Sequence, residues 1–374
     1  MVNPLLKSVQ KLPRIPLEAA KEYSLLRKEI AARVDSMMES REDLSYLIGG
    51  NTAITMRTNH ANHAGTMANT FLFGRYELLA LTVPWVYRAY IAHGFSPGYF
   101  PVVFEAFKRS IRETLSPESA EATIPVYDWL LDNHELVLES RFEADEAAPA
   151  PGSEHEAERV RFRDALLSGD HGFCMEEAGR ILREGRGVSD LYLNVIQPSL
   201  YEVGRMWERG EISVAEEHLG SAVAGRVMAG LYAEIALTEK SKKSCVVTAV
   251  TNEHHEIGAR MVADLLEGDG WEVHYLGSNI EMQGAINFIK KVKPFFVALS
   301  SALPFTLDGV ANIISALRED PDTVSVKVMV GGLAFAGTGD LWKDLGADGM
   351  AGNASEAVML AGEWFSGEDR RKSG

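Results

Sequence analysis

The segment Cys245-Val246-Val247-Thr248-Ala249-Val250, followed by Thr251-Asn252-Glu253-His254-His255-Glu256-Ile257-Gly258, indicates how the second half of the chain folds. The first six residues are short, apolar and β-branched, which is typical of a buried parallel strand. After Gly258, apolar residues recur at helical spacing through Leu266. The two histidines therefore lie on a strand-to-helix loop, at the carboxyl edge where α/β sheets bind ligands.

His255 is a candidate metal ligand on this loop. An imidazole can coordinate a metal there, and the carboxylate of Glu253, two residues earlier, can orient the ring. Gly258 permits a bulky group to pass close to the backbone. The alternative is a loop histidine that only hydrogen-bonds its neighbours, and these residues alone do not decide between the two interpretations.

Glu253-x-His255-x-x-Gly258 resembles the Asp-x-His-x-x-Gly signature of B12-binding domains, with Glu in place of Asp. The resemblance implies that His255 replaces the cofactor's own base beneath cobalt, and that the nucleotide tail enters the sheet. It extends to the ends of two later strands, at Leu299-Ser300-Ser301-Ala302 and Val330-Gly331-Gly332. In that family a serine contacts the buried base, and a glycine pair leaves room for the tail. The implied B12 contacts in this half are Glu253, His255, Glu256, Ile257, Gly258, Ser300, Ser301, Leu303, Gly331 and Gly332.

The composition limits the class of protein. A chain of 374 residues is long enough for two or three domains. The net charge of −16 disfavours direct binding to DNA or to an anionic membrane. No run of eighteen apolar residues and no signal-peptide pattern is present, and Cys174 and Cys245 are far apart in sequence. We therefore expect a cytoplasmic protein with free thiols.

The order of patterns predicts several domains. Residues 1–144 contain an all-α domain of about six helices, with helix starts at Ser96-Pro97 and Ser116-Pro117. Residues 145–155 are a linker, 156–240 a four-helix bundle interrupted near Gly185, Pro198 and Gly210, and 367–374 a tail. Residues 244–366 alternate strands with helices and predict a flavodoxin-like, five-stranded parallel sheet. Its strands are expected at 245–250, 271–276, 295–300, 327–331 and 347–351.

A second motif lies in the bundle. Ser213-Val214-Ala215-Glu216 is a capping box, which predicts a corner between one helix ending near Trp207 and another carrying Glu217 and His218. Tryptophan, nine residues, then Glu-His resembles the motif of light-sensing adenosylcobalamin repressors. The resemblance implies that these three side chains surround the upper ligand of cobalt. Those repressors have a histidine directly after the tryptophan, where this chain has Glu208. The alternative is a core tryptophan beside a solvated Glu-His turn.

The first 144 residues are rich in aromatic, histidine and arginine side chains. The segment 94–103 resembles the turn after the haem-binding helix of bacterial globins, and it puts Tyr90 at the position of the iron-binding histidine. The resemblance implies a globin-like domain without its haem ligand. Candidate contacts to a flat, conjugated ligand with acidic groups are Arg57, His60, His63, Phe71, Arg75, Trp85, Tyr90 and His93. The alternatives are a haem-binding globin sensor and a ligand-free dimerisation domain packed by its own aromatics.

A globin-like half joined to a B12 half resembles the photocobilins, which carry a bilin and a cobalamin. The resemblance implies a signalling photoreceptor, not an enzyme, with adenosylcobalamin on His255 and a bilin such as biliverdin. The bilin would be non-covalent because no cysteine precedes Cys174. Output would pass through a protein partner or self-association, without DNA or membrane. The enzymatic alternative is a corrinoid carrier for methyl transfer or a B12 mutase subunit. A receiver domain is disfavoured by Ser300-Ser301, and a nucleotide-binding Rossmann unit by Glu253–Glu256.

Overall fold

The computed structural model describes residues 4–140, 155–236 and 239–372. The predicted linker therefore lies, apart from His155, outside the described residues. The chain divides into two compact units: the first contains residues 4–140 with Glu208–Gly210, and the second contains the other described residues. Among the helices of these ranges, none is long and apolar enough to cross a membrane.

The first unit is entirely helical in its described part. The helices are α1 (Pro4–Val9), α2 (Leu17–Glu39), α3 (Leu44–Ile48), α4 (Ala53–Phe73), α5 (Glu77–Ala92), α6 (Tyr99–Thr114), α7 (Pro117–Asp132) and α8 (His134–Ser140). The longest, α2, is amphipathic and buries Tyr23, Ile30, Val34 and Met38 against α4, α6 and α7. The prediction of an all-α region is confirmed, and its count of about six helices missed the short α1 and α3.

The two predicted proline-led helix starts have different outcomes. Ser116 caps α7 as expected: its hydroxyl accepts a hydrogen bond from Ser119 N at 3.4 Å, and Pro117 is the first helical residue. The start predicted at Ser96-Pro97 is wrong. Helix α6 begins at Tyr99 with Gly98 at the N-cap, because the Ser96 hydroxyl bonds the Gly98 amide at 3.3 Å and forms a turn before the helix.

The second unit begins with helices that pack around a core containing Phe162, Ile181, Tyr192 and Val227. Pro198 does not interrupt this region as predicted. It lies in the first turn of α12 (Gln197–Glu208), directly after the π-helical turn Tyr192–Ile196, and the helix continues although a proline has no amide to donate. The helices are α9 (Glu156–Ser168), α10 (His171–Arg183), α11 (Val188–Leu191), α12 (Gln197–Glu208) and α13 (Val214–Ala236).

The rest of the second unit is a five-stranded parallel sheet, which confirms the prediction. The strands are β1 (Ser244–Ala249), β2 (Glu272–Tyr275), β3 (Phe296–Ser300), β4 (Lys327–Gly331) and β5 (Gly349–Ala351). Their order in the sheet is β2-β1-β3-β4-β5, so the order of strands reverses between β1 and β3, and ligands are expected at the carboxyl ends of these two strands. The helices between and after them are α14 (Ile257–Gly268), α15 (Met282–Val292), α16 (Leu307–Glu319), α17 (Leu341–Asp344) and α18 (Ala354–Lys372).

Candidate functional site

The loop between β1 and α14 presents His255 at the carboxyl edge of the sheet. Its Nδ1 atom lies 2.6 Å from Glu253 Oε1, and its side chain is 62% exposed. Because the carboxylate can only accept, Nδ1 carries the proton and Nε2 keeps its lone pair in the neutral ring. The bond to Glu253 raises the pKa of His255 against the opposing effect of partial burial.

Glu253 is fully buried, and every contact it makes holds this geometry. Oε1 also accepts from the His255 amide at 2.9 Å. Oε2 accepts from the amides of Ala302 and Leu303 at 2.7 and 3.3 Å and lies 3.2 Å from the Thr306 hydroxyl. Burial alone would raise the pKa of the Glu253 carboxyl, but the bonds from His255 and Ala302 outweigh it and the pKa is lowered.

Thr306 is a residue of this site that the sequence did not indicate. Its hydroxyl lies 2.7 Å from the hydroxyl of Ser301, and both residues are fully buried. Thr306 Oγ1 lies 2.9 Å from the Leu303 carbonyl oxygen and 3.2 Å from Glu253 Oε2, and these contacts connect the end of β3 to the carboxylate that holds the ring of His255. The only signal in the sequence was a threonine five residues after a candidate serine, which is too weak to identify a function.

The glycines of the predicted site serve two different purposes. A Cβ on Gly332, whose φ is 103°, would lie 2.2 Å from the Ser301 carbonyl oxygen, and one on Gly331 would lie 2.7 Å from that of Ala351. This pair is therefore required for close backbone packing at the end of β4. A Cβ on Gly258 would have no heavy atom within 4 Å, so the space above the first turn of α14 is open.

The remaining loop residues predicted as cofactor contacts lie around the same edge. Ser300 ends β3 and is half-buried, and Leu303 donates its amide to Glu253. Glu256 is exposed and accepts from the Ser278 hydroxyl at 3.2 Å, while Ile257 packs into the core of the helical region. The structure thus brings Ser300, Ser301 and Leu303 together with the His255 loop.

The helical region contributes the predicted corner. The Ser213 hydroxyl accepts from the Glu216 amide at 3.3 Å, and Glu216 accepts from the Ser213 amide at 2.7 Å, so the capping box is present. Glu217 Oε2 lies 2.5 Å from His218 Nδ1, and the His218 side chain is 74% exposed. The charge of Glu217 also contributes, as a lesser cause after Glu253, to the raised pKa of His255. Trp207 is half-buried.

In the first unit, the predicted ligand-contacting residue His60 is buried, whereas His63 is half-buried with an inaccessible Nε2 atom. His60 lies between Asp35 and Tyr99, with Nδ1 2.6 Å from Asp35 Oδ1 and Nε2 2.8 Å from the tyrosine hydroxyl. His63 Nε2 has no hydrogen-bond partner among the described residues. Its ring is surrounded by Phe104, Phe107 and Tyr127 at centroid distances of 5.5, 4.8 and 5.7 Å. Burial lowers the pKa of His63 to about 3, and nearby His60 adds to the shift.

The other predicted contacts in this unit are spread over several helices. Arg57 pairs with Glu39 at 2.6 Å and Arg75 with Glu77 at 3.2 Å, so both guanidiniums already have carboxylate partners. Phe71 is buried with its ring edge-on to Tyr23, and the Tyr90 ring packs against Phe95, Tyr99 and Phe100. Trp85 and His93 are half-buried, and the His93 carbonyl accepts from Asn51 at 2.7 Å.

These features define a parallel α/β domain with an imidazole–carboxylate pair at its carboxyl edge and a helical region beside it. Comparison with known proteins identifies the class: residues 243–361 match the B12 binding domain family, and residues 159–232 match a second B12 binding domain family. Dimethylamine corrinoid protein 3 of Methanosarcina mazei is 34% identical over 168 residues, which are 43% of this chain and 97% of that protein. The chain belongs to the family of B12-binding corrinoid proteins.

Two further similarities agree with this assignment. Dimethylamine corrinoid protein 1 of Methanosarcina mazei is 28% identical over 209 residues, covering 55% of this chain and 91% of that protein. The structure of the Methanosarcina barkeri monomethylamine corrinoid protein aligns with a TM-score of 0.51 at 22% identity, over 56% of this chain and 98% of that one. The relatives are named as corrinoid proteins, which agrees with the prediction that this chain is not itself an enzyme. Neither family match reaches the residues before 159.

Proposed function

We propose that this chain carries a corrinoid in methyl transfer between partner proteins, with His255 as the lower ligand of cobalt. The buried Glu253 carboxylate carries the proposal, because it fixes the ring of His255 and leaves Nε2 able to bind a metal. The open space above Gly258 suits a bulky ring, and relatives of this chain are named dimethylamine corrinoid proteins. A bound corrinoid supplies a cobalt centre that accepts a methyl group and passes it on.

Within this proposal, the surrounding residues hold His255 and orient its ring for the metal. Glu253 keeps the Nδ1 proton on His255 and increases the basicity of Nε2, which strengthens its bond to a Lewis acid. Ser301 and Thr306 keep the carboxylate in place from the β3 side. Trp207, Glu217 and His218 would help to hold the corrinoid from the helical region.

Replacing His255 by alanine tests the ligand assignment. His255→Ala should remove the absorption bands of histidine-ligated cobalamin, whereas His254→Ala, which changes the exposed neighbour on the same loop, should leave them intact. Both variants and the wild type would be loaded with hydroxocobalamin and compared by absorbance. An unchanged spectrum in His255→Ala would remove this residue from the site.

A second candidate function is light sensing, and the sequence motif formed by Trp207, Glu217 and His218 favours it. In this alternative these side chains would surround the adenosyl group of adenosylcobalamin, and photolysis would let the helical region repack. A sensor should bind adenosylcobalamin at least about tenfold more tightly than methylcobalamin, and Trp207→Ala should abolish that preference. It should also change its hydrodynamic radius on illumination. A carrier should bind both forms with similar affinity and keep its radius in the light.

For the first unit we propose a non-covalent linear tetrapyrrole such as biliverdin. The buried, unpartnered Nε2 of His63 supports this, because such an atom is costly unless a ligand or water completes it. Pyrrole N–H groups or ring carbonyls would supply the missing partner. Co-expression with a biliverdin-producing enzyme should give a coloured protein, and His63→Leu should lose the colour. A haem Soret band or a colourless wild type would contradict this proposal.

A further inference from the structure

The loop that presents His255 is built on a left-handed asparagine. The Glu253 amide donates to the Val250 carbonyl at 3.0 Å, and Asn252, at the third position of this turn, has a φ of 63°. A positive φ at that position defines a type II turn, which favours glycine or asparagine. The direction in which the chain enters Glu253 and His255 is therefore set by Asn252.

The neighbouring loop, between β2 and α15, holds this turn through three hydrogen bonds. Asn279 Oδ1 accepts from the Asn252 amide at 2.8 Å, and the Asn279 amide donates to the Glu253 carbonyl at 2.9 Å. The Thr251 hydroxyl donates to the Ile280 carbonyl at 2.6 Å. Asn279 is itself left-handed, with a φ of 53°.

We propose that Asn279 is a positioning residue for the lower ligand of the corrinoid, which rests on the proposed role of His255. Its side chain does not contact the imidazole. It acts on the turn residue Asn252, and its amide holds the backbone of the carboxylate residue that orients the ring. Losing the side-chain acceptor frees the Asn252 amide and lets the turn relax, so His255 spends less time aligned with cobalt.

Three variants separate this role from general stability. Asn279→Gly keeps access to the left-handed conformation and removes only the acceptor. Asn279→Asp keeps an acceptor and should behave like the wild type. Lys293→Gly is the matched control, because Lys293 also has a positive φ of 52°, at the end of α15 remote in sequence from the His255 loop. Both glycine variants relieve backbone strain, and in Asn279→Gly this relief offsets the lost hydrogen bond, so neither should lower the midpoint of urea unfolding.

The measurement is displacement of the lower ligand by cyanide in the full-length protein loaded with cob(III)inamide, which has no nucleotide base of its own. The cyanide concentration that half-converts the histidine-ligated spectrum should fall about threefold to tenfold in Asn279→Gly, the effect of one hydrogen bond. It should stay unchanged in Asn279→Asp and Lys293→Gly. An unchanged value in Asn279→Gly, or an equal fall in Lys293→Gly, would overturn the inference. A wild type without histidine ligation would instead refute the proposed function.

Discussion

At the scale of single residues, Glu253 and His255 form a pair in which one side chain is buried and the other exposed, an arrangement that would suit a metal ligand and the group that orients it. The carboxylate is inaccessible to solvent and accepts five hydrogen bonds, so it has no freedom to turn away. The imidazole is largely exposed and is held only through Nδ1. The buried Glu253 thus fixes the orientation of the ring, while Nε2 of His255 remains accessible.

The raised pKa of His255 predicts that corrinoid binding releases a proton. Ligation needs a neutral Nε2, and below its raised pKa the free histidine is protonated. Affinity should therefore increase with pH up to that pKa and then level off. Calorimetry near about pH 6, in two buffers of different ionisation enthalpy, should show release of close to one proton. His255→Ala should show none, and release that persists in this variant would assign the proton to another group.

Thr306 should support corrinoid binding through its hydrogen bond with Glu253, so its loss should have the effect of one hydrogen bond. Thr306→Val should lower the free energy of unfolding by about 1 kcal/mol and weaken corrinoid binding. Thr306→Ser should restore both. Thr323→Val is a matched control, because Thr323 is equally buried but its hydroxyl bonds the Leu317 carbonyl, outside this site. Equal losses of corrinoid affinity in the two valine variants would show that Thr306 has only a general packing role.

At the scale of elements, the sequence predicted what depends on local pattern. The strands β1, β3 and β4 were found because their centres are short apolar runs, and β2 (Glu-Val-His-Tyr) because polar and apolar residues alternate in it. The His255 loop followed from its place between β1 and α14. Short helices such as α3 (Leu44–Ile48) were not predicted, because five residues are too few to show a helical period. Thr306 was not predicted as a site residue, because its role depends on a contact with Glu253, which is 53 residues away in sequence.

The glycines of the site should respond in opposite ways to alanine. Gly332→Ala should cost about 2–4 kcal/mol of unfolding free energy, because its Cβ meets the Ser301 carbonyl and its φ is positive. Gly258 lies in the first turn of α14, and a Cβ added there would meet no heavy atom within 4 Å. Gly258→Ala should therefore stabilise the cofactor-free protein by about 0.5–1 kcal/mol. The same change should weaken corrinoid binding. Urea unfolding and cobalamin titration measure the two effects, and tight binding by Gly258→Ala would show that no cofactor passes there.

At the scale of the whole molecule, the matches to known corrinoid proteins and B12-binding families cover only about half of the chain. Two relatives are matched over 97% and 91% of their own length by about half of this chain, so we expect corrinoid binding to need only the second unit. Residues 155–374 alone should therefore fold cooperatively and bind cobalamin within about threefold of the full-length affinity. Failure of this fragment to bind, despite a cooperative unfolding transition, would make the first unit part of the corrinoid site.

The assignment of a protein histidine to cobalt is tested most directly by isotope labelling. Protein grown with ¹⁵N-histidine and loaded with unlabelled cob(II)alamin would be measured by electron paramagnetic resonance. Each high-field cobalt line should split into a doublet, because a ¹⁵N nucleus of spin one-half would be the axial ligand. His255→Ala should abolish the doublet. A triplet, the pattern of the cofactor's own ¹⁴N base, would contradict ligation by His255.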